Sequence, residues 1–163
     1  MMQLIALPIG GVAFVLVGWL WILATPVMEN SFYLIPLGAA LFSLLPLHEL
    51  LHALAHPDFG MSRKTLLAVW PSRLVCYAHY DGPRSRERLL TGLALPFLVI
   101  TVIPLVISIL SGHASLFIAF LSCLNAFGAG GDLFGILLLL WQVPRHARVF
   151  NQGWRTYWSR TIQ

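Results

Sequence analysis

The chain has 163 residues, of which 58% are hydrophobic and 10% charged, with a mean hydropathy of +0.81. An ordinary soluble domain carries roughly 25% charged residues, and a body this small cannot hide so much apolar surface from water. A water-soluble globular fold is excluded, and a lipid bilayer becomes the expected solvent for most of the side chains. The net charge of +4 is unevenly placed: every Lys and Arg lies between Arg63 and Arg88 or between Arg145 and Arg160, and the first 28 residues carry no charged side chain. Cys76 and Cys123 stand far apart, which suits neither a disulfide framework nor a cysteine metal site.

Four apolar stretches are long enough to span a hydrocarbon core of about 30 Å, which takes about 20 helical residues. They cover residues 4–24, 32–55, 89–110 and 116–141. The first lacks a basic start and is longer than the apolar run of a signal peptide, so it reads as a retained anchor helix. A short connection at 25–31, a long basic connection at 56–88 and a small turn at 111–115 separate the spans. Four spans put the basic connection and the basic tail, residues 143–163, on one side, and the positive-inside rule makes that side the cytoplasm. Both termini are then cytoplasmic, in a cell membrane. The expected fold is all-α and integral to the membrane, one domain of four transmembrane helices. Within the basic connection, Thr65 to Trp70 and Leu74 to Tyr80 are β-rich runs around Pro71, Ser72 and Arg73, a candidate hairpin between the second and third spans. The tail mixes arginine with Val149, Phe150, Trp154, Tyr157 and Trp158, a composition for the membrane interface and its anionic headgroups; a plain anchor is the simpler reading. No nucleic-acid partner is expected, and oligomeric state is left open.

The second span contains His48-Glu49-Leu50-Leu51-His52, an H-E-x-x-H motif. On a helix the two histidines differ by only ~40° around the axis and stand one turn apart, so both imidazoles can converge on one ion. Glu49 lies beside them, placed to take a proton from water activated by a metal. One histidine in an apolar helix is ordinarily a hydrogen-bonded core residue, but three ionisable groups within a span are costly in lipid and mark function. A catalytic zinc takes three protein ligands. The metzincin third histidine after a glycine turn is missing, and the later glutamate, Glu87, lies among arginines. Glu29, Asp58, Asp81 and Glu87 all sit in connections, which leaves Asp132 as the natural third ligand. Depth agrees: His48 lies 16 residues beyond Phe32 and Asp132 lies 16 beyond Leu116, about 24 Å from the outer edge in both cases.

Asp132 follows a glycine-rich segment, Gly128-Ala129-Gly130-Gly131, where irregular backbone is expected to line a cavity or to be buried. Gly131 and Gly135 form a G-x-x-x-G pair suited to close helix packing. Asn125 is a candidate donor to a substrate carbonyl or oxyanion, with interhelical hydrogen bonding as the equal alternative. His79, on a predicted strand, is a candidate to face the site. His56 reads as an interfacial helix-end residue or a supporting one, and His113 and His146 as solvated.

These residues resemble the putative zincin peptidase family, small multi-span bacterial membrane proteins, and more distantly the site-2 intramembrane metalloproteases. The resemblance runs over most of the chain from about Leu45 and includes His79, Pro83, Gly92, Pro96, Pro104 and Gly131-Asp132. It implies zinc on His48, His52 and Asp132, with Glu49 as general base. Asn125 matches the site-2 pattern, but the residues after it are glycines where that pattern has prolines, and Leu133 follows Asp132 where it has glycine. The expected activity is that of a zinc-dependent membrane endopeptidase cutting a peptide or membrane-protein substrate near the cytoplasmic side. The alternatives are a metal carrier or sensor, a two-iron hydroxylase, for which six histidines are too few, and a catalytically silent scaffold.

Overall fold

The computed structural model describes residues 2–25, 29, 34–70, 75–152 and 155–160. Helix α1 covers Met2–Ala24 and α2 covers Leu34–Leu54. The expected start of the second span at Phe32 lies outside the described residues. Three helical runs, Ile5–Ala24, Leu37–Leu54 and Arg86–Ser111, are long and apolar enough to cross a membrane, and each leaves most of its side chains uncovered by the rest of the chain.

The third run is interrupted. Helix α3, Arg86–Phe97, passes into a π-helical turn at Leu98–Val102 and continues as α4, Ile103–Ser111. Ser85 caps its start, the hydroxyl accepting from Arg88 N–H at 3.2 Å, and Gly112 ends α4 with φ of 70°. Pro96 supplies the local cause of the disruption. A proline has no N–H for the carbonyl four residues before it, here Gly92, and π turns of this kind recur at functional sites.

The expected fourth span is a broken one. Helix α5, Leu116–Gly128, and helix α6, Gly130–Gln142, meet at Ala129 with a bend of 49°. Helix α1 packs against both arms. A Cβ on Gly10 would collide with the Phe127 carbonyl, and one on Gly130 would strike the α1 backbone at Ala6 and Gly10. The close helix approach expected of Gly131 and Gly135 therefore belongs to Gly10 and Gly130. A Cβ at Gly131 would meet nothing within 4 Å, and one at Gly135 would meet only a Leu93 methyl, at 3.2 Å.

Ala13, Val17, Trp21, Ala119, Cys123 and Ala126 form the core between α1 and α5. Trp21 Nε1 donates to Ser122 Oγ at 3.1 Å. At one end of the bundle Glu29 N–H donates to the Ala114 carbonyl and Leu116 N–H to the Glu29 carbonyl, which ties the first connection to the turn before α5.

At the other end lie two small sheets, so the architecture is helical with more strand than the single hairpin expected. After α2 the chain reverses through Asp58, Phe59 and Gly60, whose φ values are 56°, 52° and 79°. Gly60 is required there, since a Cβ would lie 2.6 Å from the Ala53 carbonyl oxygen. Strands β1, Thr65–Trp70, and β2, Val75–Tyr80, then pair antiparallel from Thr65↔Tyr80 to Trp70↔Val75. The anticipated turn residues Pro71, Ser72 and Arg73 lie outside the described residues.

The tail, for which no strands were expected, has regular structure. It folds as β4, Arg148–Gln152, and β5, Arg155–Ser159, joined to β3, Arg84–Ser85, in a three-stranded sheet of order β3-β4-β5. Val149 is fully buried and packs with Leu89, Leu139, Val143 and Ala147. Phe150 stacks on Tyr157 at 5.3 Å on the outside; Trp154 lies outside the described residues. The basic connection and the basic tail thus share one end of the molecule, as the charge pattern implied.

Candidate metal centre

Helix α2 presents His48, Glu49 and His52 toward α3, α5, α6 and β2. The ligand atoms of these three residues lie within 4.8 Å of one another. Asp132, in the first turn of α6, completes a tighter set. Its Oδ2 lies 3.0 Å from His48 Nε2 and 3.4 Å from His52 Nε2, and the two Nε2 atoms are 3.1 Å apart. The bend at Ala129 turns α6 so that its first residues meet α2.

The hydrogen bonds on the far side of each ring fix where the protons are. His52 Nδ1 lies 2.8 Å from the Gly92 carbonyl, which can only accept, so Nδ1 carries a proton and in the neutral ring Nε2 presents its lone pair. This is the carbonyl that Pro96 leaves without a helical donor. His48 Nδ1 lies 2.9 Å from Asn125 Oδ1. The Asn125 amide is oriented by its nitrogen, which donates to the Pro96 carbonyl at 3.2 Å and to Thr101 Oγ1 at 3.0 Å. His48 Nδ1 is therefore the donor, and its Nε2 is also a bare lone pair.

Two imidazole lone pairs and a carboxylate oxygen crowded within 3.4 Å repel one another unless a cation lies among them. Zinc–ligand bonds of about 2.0–2.1 Å put tetrahedral donors roughly 3.3 Å apart, and the measured separations suit that spacing. Two imidazoles and one carboxylate are a donor set that catalytic zinc takes, and the Nδ1 contacts are the outer bonds that fix ligand orientation.

Glu49 stands apart from this triangle. Its Oε2 accepts from Ala78 N–H of β2 at 2.8 Å. The sheet has two strands only, so Ala78 marks its free edge, and that edge faces the H-E-x-x-H helix. Asn125 is buried, with 2% of its surface exposed, and all its polar atoms are engaged; of its two expected roles the structure realises the interhelical hydrogen bond. His79 lies on the face of β2 opposite Ala78 and Tyr80 and does not line the cavity at the site. His113 and His146 are exposed.

That cavity, of about 220 Å³, is lined by Glu49, His52 and Asp132 on one side and by His56, Arg84 and Asn151 on the other. Arg84 and Asn151 are not legible as site residues in the sequence, and His56 reads there only as an interfacial or supporting residue. Arg84 and Asn151 arrive there through the pairing of β3 with the tail, with Arg84 opposite Val149. Burial lowers the Arg84 pKa from the usual guanidinium value. His56 is 3% exposed and packs against the Tyr80 ring at 5.5 Å. Burial, aided by Arg84, His52 and His79 nearby, pushes its pKa from 6.5 down to about 4.

Over residues 41–148 the sequence matches a family model described as putative zincin peptidase. No curated protein and no solved structure matches the chain. The match covers more than half of the chain, includes all four residues His48, Glu49, His52 and Asp132, and fits the zinc-type donor set: the chain belongs to the putative zincin peptidase family.

Proposed function

We propose that the chain is a zinc-dependent, membrane-embedded endopeptidase that hydrolyses a peptide bond near the cytoplasmic side of the membrane. The observation that carries this reading is the convergence of His48 Nε2, His52 Nε2 and Asp132 Oδ2 beside Glu49. Those three atoms would hold the zinc, which when bound supplies Lewis acidity toward the scissile carbonyl and the attacking water. Glu49 then takes the water proton and passes it to the leaving amine nitrogen. Its Oε2 is held by Ala78 N–H, which orients the carboxylate and leaves Oε1 for the proton.

A peptide bond presents its carbonyl to such a site only when the chain is extended. The outer edge of β2 to either side of Ala78, whose own N–H is taken by Glu49, offers an extended segment a place to add as a further strand. Prolines at several positions of β2 test this; undiminished cleavage with zinc still bound would count against it. The charge pattern supports placing the sheet end, the cavity and both termini on the cytoplasmic side, with exposed Arg148, Arg155, Phe150 and Tyr157 at the anionic headgroups. Reporter fusions to the C-terminus check that orientation.

The decisive comparison is between wild type and Glu49→Gln purified in detergent. Both are expected to bind one zinc per chain, and the variant loses about 10²–10⁴-fold in kcat. Equal turnover would remove the peptidase reading and favour a metal carrier.

A further inference from the structure

The cavity beside the metal ligands is also lined by Arg84, Asn151 and His56. Arg84 reaches it from β3, and among the described residues its guanidinium makes no hydrogen bond and no ion pair. The neighbouring arginine shows how unusual this is. Arg86, which is buried, donates through Nε and Nη2 to the Leu139 and Leu140 carbonyls at the end of α6, and its Nη1 lies 3.9 Å from Glu87 Oε1. Arg84 is half-buried, and with no such acceptor among the described residues its donors are open to a ligand.

His56 repeats the pattern. Its Nδ1 is buried and has no hydrogen-bond partner, although almost every buried polar group in a folded chain finds one. Asn151 lines the same wall, with its Oδ1 accepting from Thr156 Oγ1 at 3.1 Å. A guanidinium, an imidazole ring and an amide line a space of about 220 Å³. The acceptors of this space, Glu49 and Asp132, belong to the catalytic wall.

We propose that Arg84 and His56 form a subsite for a carboxylate of the substrate. The guanidinium takes a carboxylate through paired N–H donors, and the His56 ring walls the same space beside it. A space of this volume is about 6 Å across, and an extended chain advances about 3.3–3.6 Å per residue. The carboxylate therefore lies one or two residues from the bond being cut. It is either the side chain of an aspartate or glutamate or the free end of a peptide chain. This subsite rests on the peptidase reading for the nature of its ligand.

The test uses the full chain, zinc-loaded, carrying Glu49→Gln so that binding is seen without turnover. Fluorescent octapeptides with amidated ends, either neutral or with one glutamate stepped through each position, are titrated beside the neutral peptide with a free C-terminus. One position of glutamate, or the free end, is expected to tighten Kd about tenfold or more over the neutral amide; which of them does so identifies the carboxylate's source. Adding Arg84→Gln should erase that difference, and Arg84→Lys should keep part of it, with zinc content unchanged in both. If Arg84→Gln does not fold, the Arg84→Lys result and the amide comparison decide. Equal affinity for all peptides, no binding by any, or a preference that survives Arg84→Gln overturns the subsite. Hydrolysis by the protein with Glu49 intact is measured on the same peptides. Carboxylate-selective binding without hydrolysis defeats the peptidase reading alone, and hydrolysis without carboxylate preference defeats the subsite alone.

Discussion

The two sides of the histidine pair are built on opposite terms. Toward the bundle, every polar group is matched. His48 leans on Asn125, which is held by Pro96 and Thr101; Thr101 and Ser122 exchange hydrogen bonds at 3.1 and 3.2 Å; Ser122 in turn accepts from Trp21. Toward the sheets, among the described residues, His56 Nδ1 is buried without a partner and the half-buried Arg84 has no acceptor. The first arrangement fixes ring orientation before any ligand arrives, because buried networks of this kind are rigid when all members are satisfied. The second leaves donors open to a ligand. A catalytic centre needs both, a rigid wall for the metal and an unsatisfied one for the substrate.

The largest effect should come from breaking the point where the two walls meet. Asp132→Ala and His52→Ala each remove a donor atom from the triangle, and zinc should fall well below one per chain by elemental analysis. That loss should exceed the 10–100-fold that outer partners are worth. Retention of full zinc by both variants would show that the ion sits elsewhere.

Next in size is the scaffold behind the matched wall. Gly130→Ala and Gly10→Ala drive a methyl into backbone carbonyl or amide atoms, which cannot move aside as a side chain can. Each should cost about 1–3 kcal/mol and lower the unfolding temperature. Gly11→Ala, where a Cβ meets nothing within 4 Å, should be neutral or gain up to about 1 kcal/mol from helix propensity. Asn125→Ala then strikes the matched wall directly. It frees His48 to rotate and leaves Thr101 Oγ1 and the Pro96 carbonyl without their donor. Zinc affinity should drop about 10–100-fold, read by competition with a chelating dye, while affinity for carboxylate peptides relative to neutral ones is unchanged.

What could be read from the sequence follows the same division. The H-E-x-x-H spacing is local, and a helix converts it directly into geometry. Asp132 was legible through scarcity, since charge is so rare in the spans that an aspartate there needs a partner. Asn125 could be placed near the site but not assigned a role, because its hydrogen bonds depend on the π turn that Pro96 introduces on another helix. Arg84 looked like one more cytoplasmic arginine. Its position depends on a strand of two residues pairing with a tail some 60 residues away, as Arg84↔Val149 shows, and the tail's aromatic and arginine residues pointed to the interface rather than to a sheet. The glycines divided similarly: the G-x-x-x-G at Gly131 and Gly135 had the familiar spacing, but the tight crossing is set by Gly10 and Gly130, on separate helices.

The smallest expected effect sharpens the unmatched wall. Above pH 6.5, His56 is neutral whether the chain is folded or unfolded, and its titration contributes nothing to pH dependence. Between pH 6.5 and about 4, the unfolded chain binds a proton at this position that the folded chain refuses, so stability falls as the pH falls. Below about 4 both forms are protonated and the slope from this residue ends. His56→Gln removes the titration, so its unfolding temperature should drop less than that of wild type between pH 7 and pH 4.5. A carboxylate peptide held by Arg84 offsets the guanidinium charge that disfavours protonation of His56, and should narrow the same gap in wild type without touching the variant. An identical acid response in wild type and variant would mean that His56 is not the buried neutral group on this wall, and that Arg84 alone provides its unmet donors.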